Sequence, residues 1–191
     1  MKKLLSVAAL VALASLPCLA QTTTWQVDTA HTNSQFAVKH LGISTVRGQF
    51  TKTTGQVQLD EKDVTKSQVE VTVDTTTVDS RNDNRDTDVK GPNYLDVEKF
   101  PTMTFKSKRV ASVGEGKLKL TGDLTLHGVT KEVTFDVDGP SAAITDPWKN
   151  LRRGASATTK INRHDFGVNG GGPVVGDDVT ITIDLEFIRK P

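Results

Sequence analysis

Residues 179–187 read VTITIDLEF, and this stretch decides the fold class. Its apolar residues stand at every second position, and the residues between them are threonine, aspartate and glutamate. A β-strand turns successive side chains to opposite faces, so the stretch predicts a strand with one apolar face and one hydrated face. Sheets of such strands are typical of antiparallel proteins, because parallel sheets are usually covered on both faces.

The same alternation recurs along most of the chain. It is found in residues 36–38, 46–50, 57–59, 69–73, 103–105, 117–120, 133–137 and 155–161. These segments predict roughly eight to ten strands. Gly55, Gly116 and Gly176 precede strand segments and are suited to tight turns, whereas Gly122 interrupts a nearly continuous strand pattern. Gly122 therefore marks either a hairpin turn or a bulge that bends the sheet.

These strands predict an all-β protein, either a two-sheet sandwich or a closed barrel. The runs at 117–126 and 179–188 are long for a sandwich and favour an antiparallel barrel of about eight tilted strands. Residues 79–97 lack alternation and predict a connection with a short helix that stops at Gly91-Pro92. The chain shows no repeat or linker that would divide it into further domains.

A barrel of about eight strands is either filled by its side chains or wide enough for one small ligand. The inward positions here are mostly Val, Leu, Ile and Ala, so we expect an apolar cavity, and an empty one of that kind would be costly. The alternation of side chains along a strand (parity) shows which residues point inward, but not whether an inward residue lines a pocket or is packed in the core. The residues predicted to line the interior are Phe36, Val38, Phe50, Val71, Val73, Phe105, Leu120, Leu124, Phe135, Ala157, Ile161, Ile181, Ile183 and Leu185.

The first twenty residues have the three-part form of a secretory signal peptide. Lys2 and Lys3 precede an apolar stretch, and Ala20 offers a small residue for cleavage. Ser, Pro and Cys interrupt the apolar run before it reaches the ~20 residues of a membrane span. We therefore expect a signal peptide at 1–20, one mature domain at 21–191, no transmembrane anchor after cleavage, and a periplasmic location.

Cleavage changes the composition of the mature chain. It removes the single Cys, which excludes disulfides and cysteine chemistry, and it leaves 22 basic residues against 23 acidic ones. A net charge of −1 gives no field that would steer the protein to nucleic acid or to an anionic membrane.

Four segments resemble the YceI-like family of periplasmic isoprenoid-binding proteins, and together they span nearly the whole mature chain. They are residues 25–50, which open WQVDTAHTNS, residues 94–105 (YLDVEKFPTMTF), residues 122–133 with LHGVTK at 126–131, and residues 161–167 (INRHDFG). The resemblance implies a lipocalin-like extended antiparallel barrel. Its apolar tunnel would hold the isoprenoid tail of a polyprenyl lipid or quinone, with other long-chain lipids accepted in some members. The resemblance implies neither an enzymatic step nor a catalytic cofactor. The chain departs from the family pattern at one place. Many members have a His soon after an Arg-Asp pair, whereas here Arg85-Asp86 is followed by Thr87. A role of that His in the family is therefore not assigned to this chain.

The sequence leaves two other functions open. One is a structural or partner-binding barrel with a packed interior, and the other is an envelope hydrolase that uses His31 or His164. Asp28, His31 and Ser34 have the residue types of a nucleophilic triad, but residues three apart beside a strand do not share a direction. The four histidines lack the spacing of a zinc site. The sequence also leaves open whether the barrel forms a homodimer through a sheet edge.

Overall fold

The computed structural model describes residues 22–189. The predicted signal peptide at 1–20 lies outside the described residues, as do positions 21, 190 and 191 of the predicted mature domain. No helix among residues 22–189 is both long enough and apolar enough to cross a membrane.

The described residues form strands and one short α-helix. The strands are β1 (Thr22–Val27), β2 (Asn33–His40), β3 (Ser44–Phe50), β4 (Thr53–Asp60), β5 (Gln68–Asp74), β6 (Val78–Asp79), β7 (Thr102–Gly114), β8 (Lys117–Leu126), β9 (Val129–Asp138), β10 (Ile144–Thr145), β11 (Leu151–Asn162) and β12 (Val175–Arg189). The helix, α1, is Asp83–Lys90. Short 3-10 turns lie at Thr29–His31, Val64–Lys66, Thr75–Thr77, Arg163–Phe166 and Gly172–Val174.

Eight strands close into an antiparallel barrel, which confirms the predicted fold class. The strands neighbour one another in the order β11, β9, β8, β7, β5, β4, β1 and β12, and β12 pairs again with β11. The closing pair is long and unbroken, running from Leu151 opposite Arg189 to Asn162 opposite Asp178. We call the end where β11 stops and β12 begins the upper end, and the end with the β7–β8 connection the lower end.

One side of the barrel extends upward beyond this ring. The first part of β12 pairs with β2, β2 pairs with β3, and β3 pairs with β6. Thr53 fixes the joint between the ring and the extension. Its hydroxyl lies 2.8 Å from the Ser34 hydroxyl, and its carbonyl accepts a hydrogen bond of 2.7 Å from Thr29. These buried polar groups are paired with one another, which keeps the joint free of unsatisfied donors.

The helix lies where the sequence predicts it. Asn82 caps its N-terminus by accepting a hydrogen bond from the amide of Arg85, and Gly91 ends it with an amide bonded to the carbonyl of Asp88. Asn is among the preferred N-cap residues because its side-chain oxygen satisfies an amide that lacks a helical partner. The residues between α1 and β7 reach the upper end of the barrel, where the Asn93 carbonyl accepts a hydrogen bond of 2.7 Å from the Gly170 amide, and Tyr94 and Leu95 line the cavity.

Gly122 lies inside β8 and does not form a hairpin turn. It pairs with Ser107, next to a register shift in β7 between Ser107 and Arg109. A Cβ at Gly122 would lie 2.3 Å from the Lys106 carbonyl oxygen and 2.7 Å from the Phe105 ring. The glycine therefore permits two backbones to approach closely beside a bulge, which is the second of the two expected roles.

Gly122→Ala should destabilise the barrel by about 1–3 kcal/mol, because backbone atoms of β7 would have to shift. Urea unfolding of the mature chain measures the change. Gly154→Ala in β11 is the matched control, since its Cβ would meet only the Leu185 carbonyl at 3.7 Å. Equal stability of Gly122→Ala and the wild type would contradict the close approach.

Candidate functional site

The centre of the barrel is hollow. It holds a cavity of about 530 Å³ that runs from the upper extension down toward the lower end. This volume lies within the ~300–1,000 Å³ typical of small-molecule sites. Its wall is overwhelmingly apolar, because the inward positions of successive strands carry aliphatic and aromatic side chains.

All fourteen residues predicted from parity lie on the wall of this cavity. They divide into two groups by exposure. Seven are buried in the surrounding core, namely Phe50, Val71, Val73, Phe105, Leu124, Phe135 and Ile161. The other seven keep part of their surface free toward the hollow, namely Phe36, Val38, Leu120, Ala157, Ile181, Ile183 and Leu185. Their contact with a ligand stays a prediction.

Sequence reasoning missed the part of the wall that comes from α1 and the segment after it. Arg85, Asp88, Val89, Tyr94 and Leu95 all line the cavity. Helix α1 is polar along its length and lacks a buried residue, so its pattern does not mark an inward face. The sequence signal was that Val89, Tyr94 and Leu95 are large side chains with apolar surface in residues 79–97, which are mostly charged and polar.

Trp25 fills the lower end of the barrel. It packs edge-on against Phe187 at a ring distance of 5.7 Å, in a cluster with Val57 and Leu59. The guanidinium group of Arg153 lies 5.4 Å from the centre of the same ring. An apolar cluster covered by a cation closes this end.

The upper end forms the mouth of the cavity. Three lining residues there, Lys39, Asp88 and Val174, are exposed to solvent, and they lie on three different segments. The cavity wall is therefore mostly apolar, and the exposed charged residues that line it, Lys39 and Asp88, lie at this opening. That arrangement suits a ligand with a long apolar part and a small polar end.

Comparison with known proteins supports this reading of the fold. The family model described as "YceI-like domain" matches residues 25–187. The chain belongs to the YceI-like family. A relative in Vibrio parahaemolyticus, named as a UPF0312 protein, is 39% identical, and the alignment covers 100% of both chains.

Two solved structures share the fold of this YceI-like chain. BcnA of Burkholderia cenocepacia superposes with a TM-score of 0.73 at 25% identity, covering 84% of this chain and 98% of BcnA. A domain of Saccharophagus degradans, described as a polyisoprenoid binding domain, gives a TM-score of 0.65 at 14% identity and covers 87% and 98% of the two chains. At that identity the second likeness concerns the fold alone.

Arg163, in the late YceI-like motif, shapes the rim of the mouth. Its buried guanidinium group donates to the carbonyls of Val168, Gly170, Val175 and Gly176 at 2.7–3.0 Å. These bonds fold the glycine-rich segment into a rim loop, which we define as residues 167–176. The glycine-rich segment is thus part of the mouth.

His164 ties the outside of the same rim loop. Its two ring nitrogens lie 2.8 Å from the Asn169 side-chain oxygen and 2.9 Å from an Asp177 carboxylate oxygen. The bonds to Asn169 and Asp177 raise the pKa of His164 above its usual value. Because both ring nitrogens are hydrogen-bonded, one to the rim loop and one to Asp177, His164 has a structural role in holding the rim loop.

Asp28 and His31, in the first YceI-like motif, belong to a charge cluster on the barrel's outer side. Asp28, His31 and Glu186 bring metal-ligand atoms within 4.8 Å of one another. Arg152 already contacts both carboxylates, donating to Asp28 at 2.5 Å and to Glu186. The guanidinium group thus provides the positive charge that a cation would otherwise supply.

The triad residue types do not assemble into a triad. His31 lies 3.0 Å from Asp28, but the Ser34 hydroxyl is paired with Thr53 in the hydrogen bonds of the described residues. A nucleophile must lie within hydrogen-bond reach of its base. The geometry of residues 28–34 therefore gives the hydrolase hypothesis no support.

Asp146 is the buried carboxylate of the Arg152 cluster. Desolvation acts to raise its pKa, but hydrogen bonds from Asn150, Arg152 and the Trp148 amide outweigh it and lower the pKa of Asp146 to about 2. Because its pKa is lower in the folded state than in the unfolded state, the ionised carboxylate stabilises the fold at neutral pH. This contribution is lost as the pH falls from about 4 toward 2.

Asp146→Asn should therefore unfold at lower urea concentration than the wild type at pH 7. The difference should close as the pH falls from about 4 to 2, since the wild-type carboxylate then also becomes neutral. Asp138→Asn is the control, because Asp138 forms an exposed ion pair with Lys117 that contributes little. A difference that stays constant down to pH 2 would contradict the assignment.

Proposed function

We propose that the protein binds one long-chain apolar lipid, a polyisoprenoid or an isoprenoid quinone, in the barrel cavity and carries or sequesters it without a catalytic step. The observation that carries the proposal is the apolar hollow of about 530 Å³, whose exposed charged lining residues lie at the upper end. The polyisoprenoid binding described for the Saccharophagus degradans domain, which shares this fold, supports the same ligand class.

Burial of the tail would supply most of the affinity. Each CH₂ group removed from water contributes about 0.8 kcal/mol, so ten buried groups contribute about 8 kcal/mol before losses of chain freedom. Half-buried residues such as Leu120, Ile181 and Ile183 offer the tail the surface that the fold leaves uncovered. Selectivity would come from the length and width of the cavity, together with the polar groups at the mouth.

The structure is also relevant to the two other hypotheses, a barrel with a packed interior and an envelope hydrolase. A partner-binding barrel with a packed interior would have side chains where the cavity lies. A hydrolase would need a free nucleophile beside a base, whereas Ser34 is hydrogen-bonded to Thr53, and His164 to Asn169 and Asp177. Ligand binding in the interior accounts for the hollow.

Narrowing the cavity tests the proposal. Ala157 lines it at the middle of β11, so Ala157→Phe should place a ring in the path of the tail and weaken lipid binding roughly tenfold, about 1.4 kcal/mol. The readout is the lipid retained by purified protein, detected by native mass spectrometry and identified after extraction. Thr158→Phe, on the exposed face of the same strand, is the control.

Retention of the same lipid by Ala157→Phe and the wild type would place the ligand outside the cavity. A wild-type protein that carries no lipid in several preparations from its own host would argue against lipid binding altogether. Replacement of His31 and His164 by Gln should leave retention unchanged, which separates binding from hydrolysis.

We further propose that the protein acts in the periplasm after removal of residues 1–20. The composition of that segment supports export. N-terminal sequencing of the protein from a periplasmic fraction should begin at Gln21. A protein that keeps Met1 and fractionates with the cytoplasm would contradict this location.

A further inference from the structure

The tip of the β2–β3 hairpin exposes two large aliphatic side chains. Leu41 and Ile43 are 56% and 84% exposed, and they flank Gly42 in the short turn that joins His40 to Ser44. Hairpin turns usually carry Gly, Asn, Asp or Ser, and large apolar residues there gain nothing from the fold. Leu41 moreover has a positive φ of 51°, a conformation that is uncommon for a side chain of this kind.

This tip adjoins the mouth of the cavity. The Leu41 amide donates to the Val174 carbonyl at 2.7 Å, which joins the hairpin to the rim loop. Val174 is itself 39% exposed and lines the cavity, as does His40 immediately before the tip. The exposed aliphatic residues of the two segments therefore lie together at the opening through which a lipid would pass.

Two exposed cations lie on the hairpin that carries the tip. Lys39 and Arg47 are exposed, and within residues 22–189 neither lies in an ion pair. On the adjacent strand, Asp177 contacts His164 and Asp178 pairs with Lys160. The exposed carboxylate that lines the mouth, Asp88, lies on α1 and not on the hairpin. The hairpin that ends in the apolar tip therefore carries two cations without an ion-pair partner among residues 22–189, although the net charge of the whole chain is near zero.

We propose that the tip, Leu41, Gly42 and Ile43 with Val174, is a contact site for an anionic lipid bilayer that places the cavity mouth at the membrane surface. The proposal rests on the proposed function. Exposed aliphatic residues that enter the interface, with cations that meet anionic headgroups, are the two features of interfacial binding. A mouth held against the bilayer lets an apolar tail pass into the cavity without crossing water.

Flotation with vesicles of equal parts phosphatidylethanolamine and phosphatidylglycerol tests the contact. The double variant Leu41→Ser and Ile43→Ser should lose vesicle binding by roughly tenfold or more, since two large side chains no longer insert. The matched control is Ile144→Ser with Trp148→Ser, which are 63% and 75% exposed near the lower end. Wild-type binding should fall as salt screens Lys39 and Arg47.

Uptake of geranylgeraniol separates this proposal from the proposed function. When geranylgeraniol is supplied in the same vesicles, it should enter the tip variant about tenfold more slowly than the wild type. When it is added from an ethanol solution, it should reach the same occupancy in both proteins. Equal flotation of the tip variant and the wild type overturns the contact site, as does a wild-type protein that does not float. A loss of flotation only in the lower-end control also overturns it, whereas flotation without any uptake from ethanol contradicts the lipid cavity alone.

Discussion

The structure depends on the closure of one sheet by the pairing of β11 with β12. This antiparallel pair runs without interruption along the whole of β11, and it joins the two ends of the eight-strand ring. Closure turns one face of each strand into an interior. Since the ring has eight strands and the inward side chains are mostly aliphatic, they do not fill the centre, and a cavity of about 530 Å³ remains.

Several polar residues stabilise this closed barrel through hydrogen bonds and ion pairs. Arg152 holds the carboxylates on the outer side near the joint, and Arg163 holds the backbone of the rim loop. Thr53 joins the upper extension to the ring through buried hydroxyl pairs. The residues that could suggest a triad or a metal site are thus paired in hydrogen bonds and ion pairs that stabilise the barrel. The interior is mostly apolar.

The sequence predicted the strands and their inward faces because alternation in a strand maps directly onto the two sides of a sheet. For that reason all fourteen parity residues, from Phe36 to Leu185, lie on the cavity wall. The residues around Tyr94 could not be found in this way, since their position comes from packing across the upper end. Parity was also unable to tell that Ile181 faces free space whereas Phe135 is packed in the core, because that difference depends on the width of the whole ring.

The central claim is that an apolar tail occupies the hollow centre, and methyl NMR tests it most directly. In protein with labelled Ile, Leu and Val methyl groups and bound geranylgeraniol, intermolecular NOEs should connect the tail to Leu120, Ile181 and Ile183, which line the cavity. They should not reach Val113, which is exposed at the β7–β8 connection. NOEs confined to exposed residues such as Val113, with none to the three inward residues, would contradict the account.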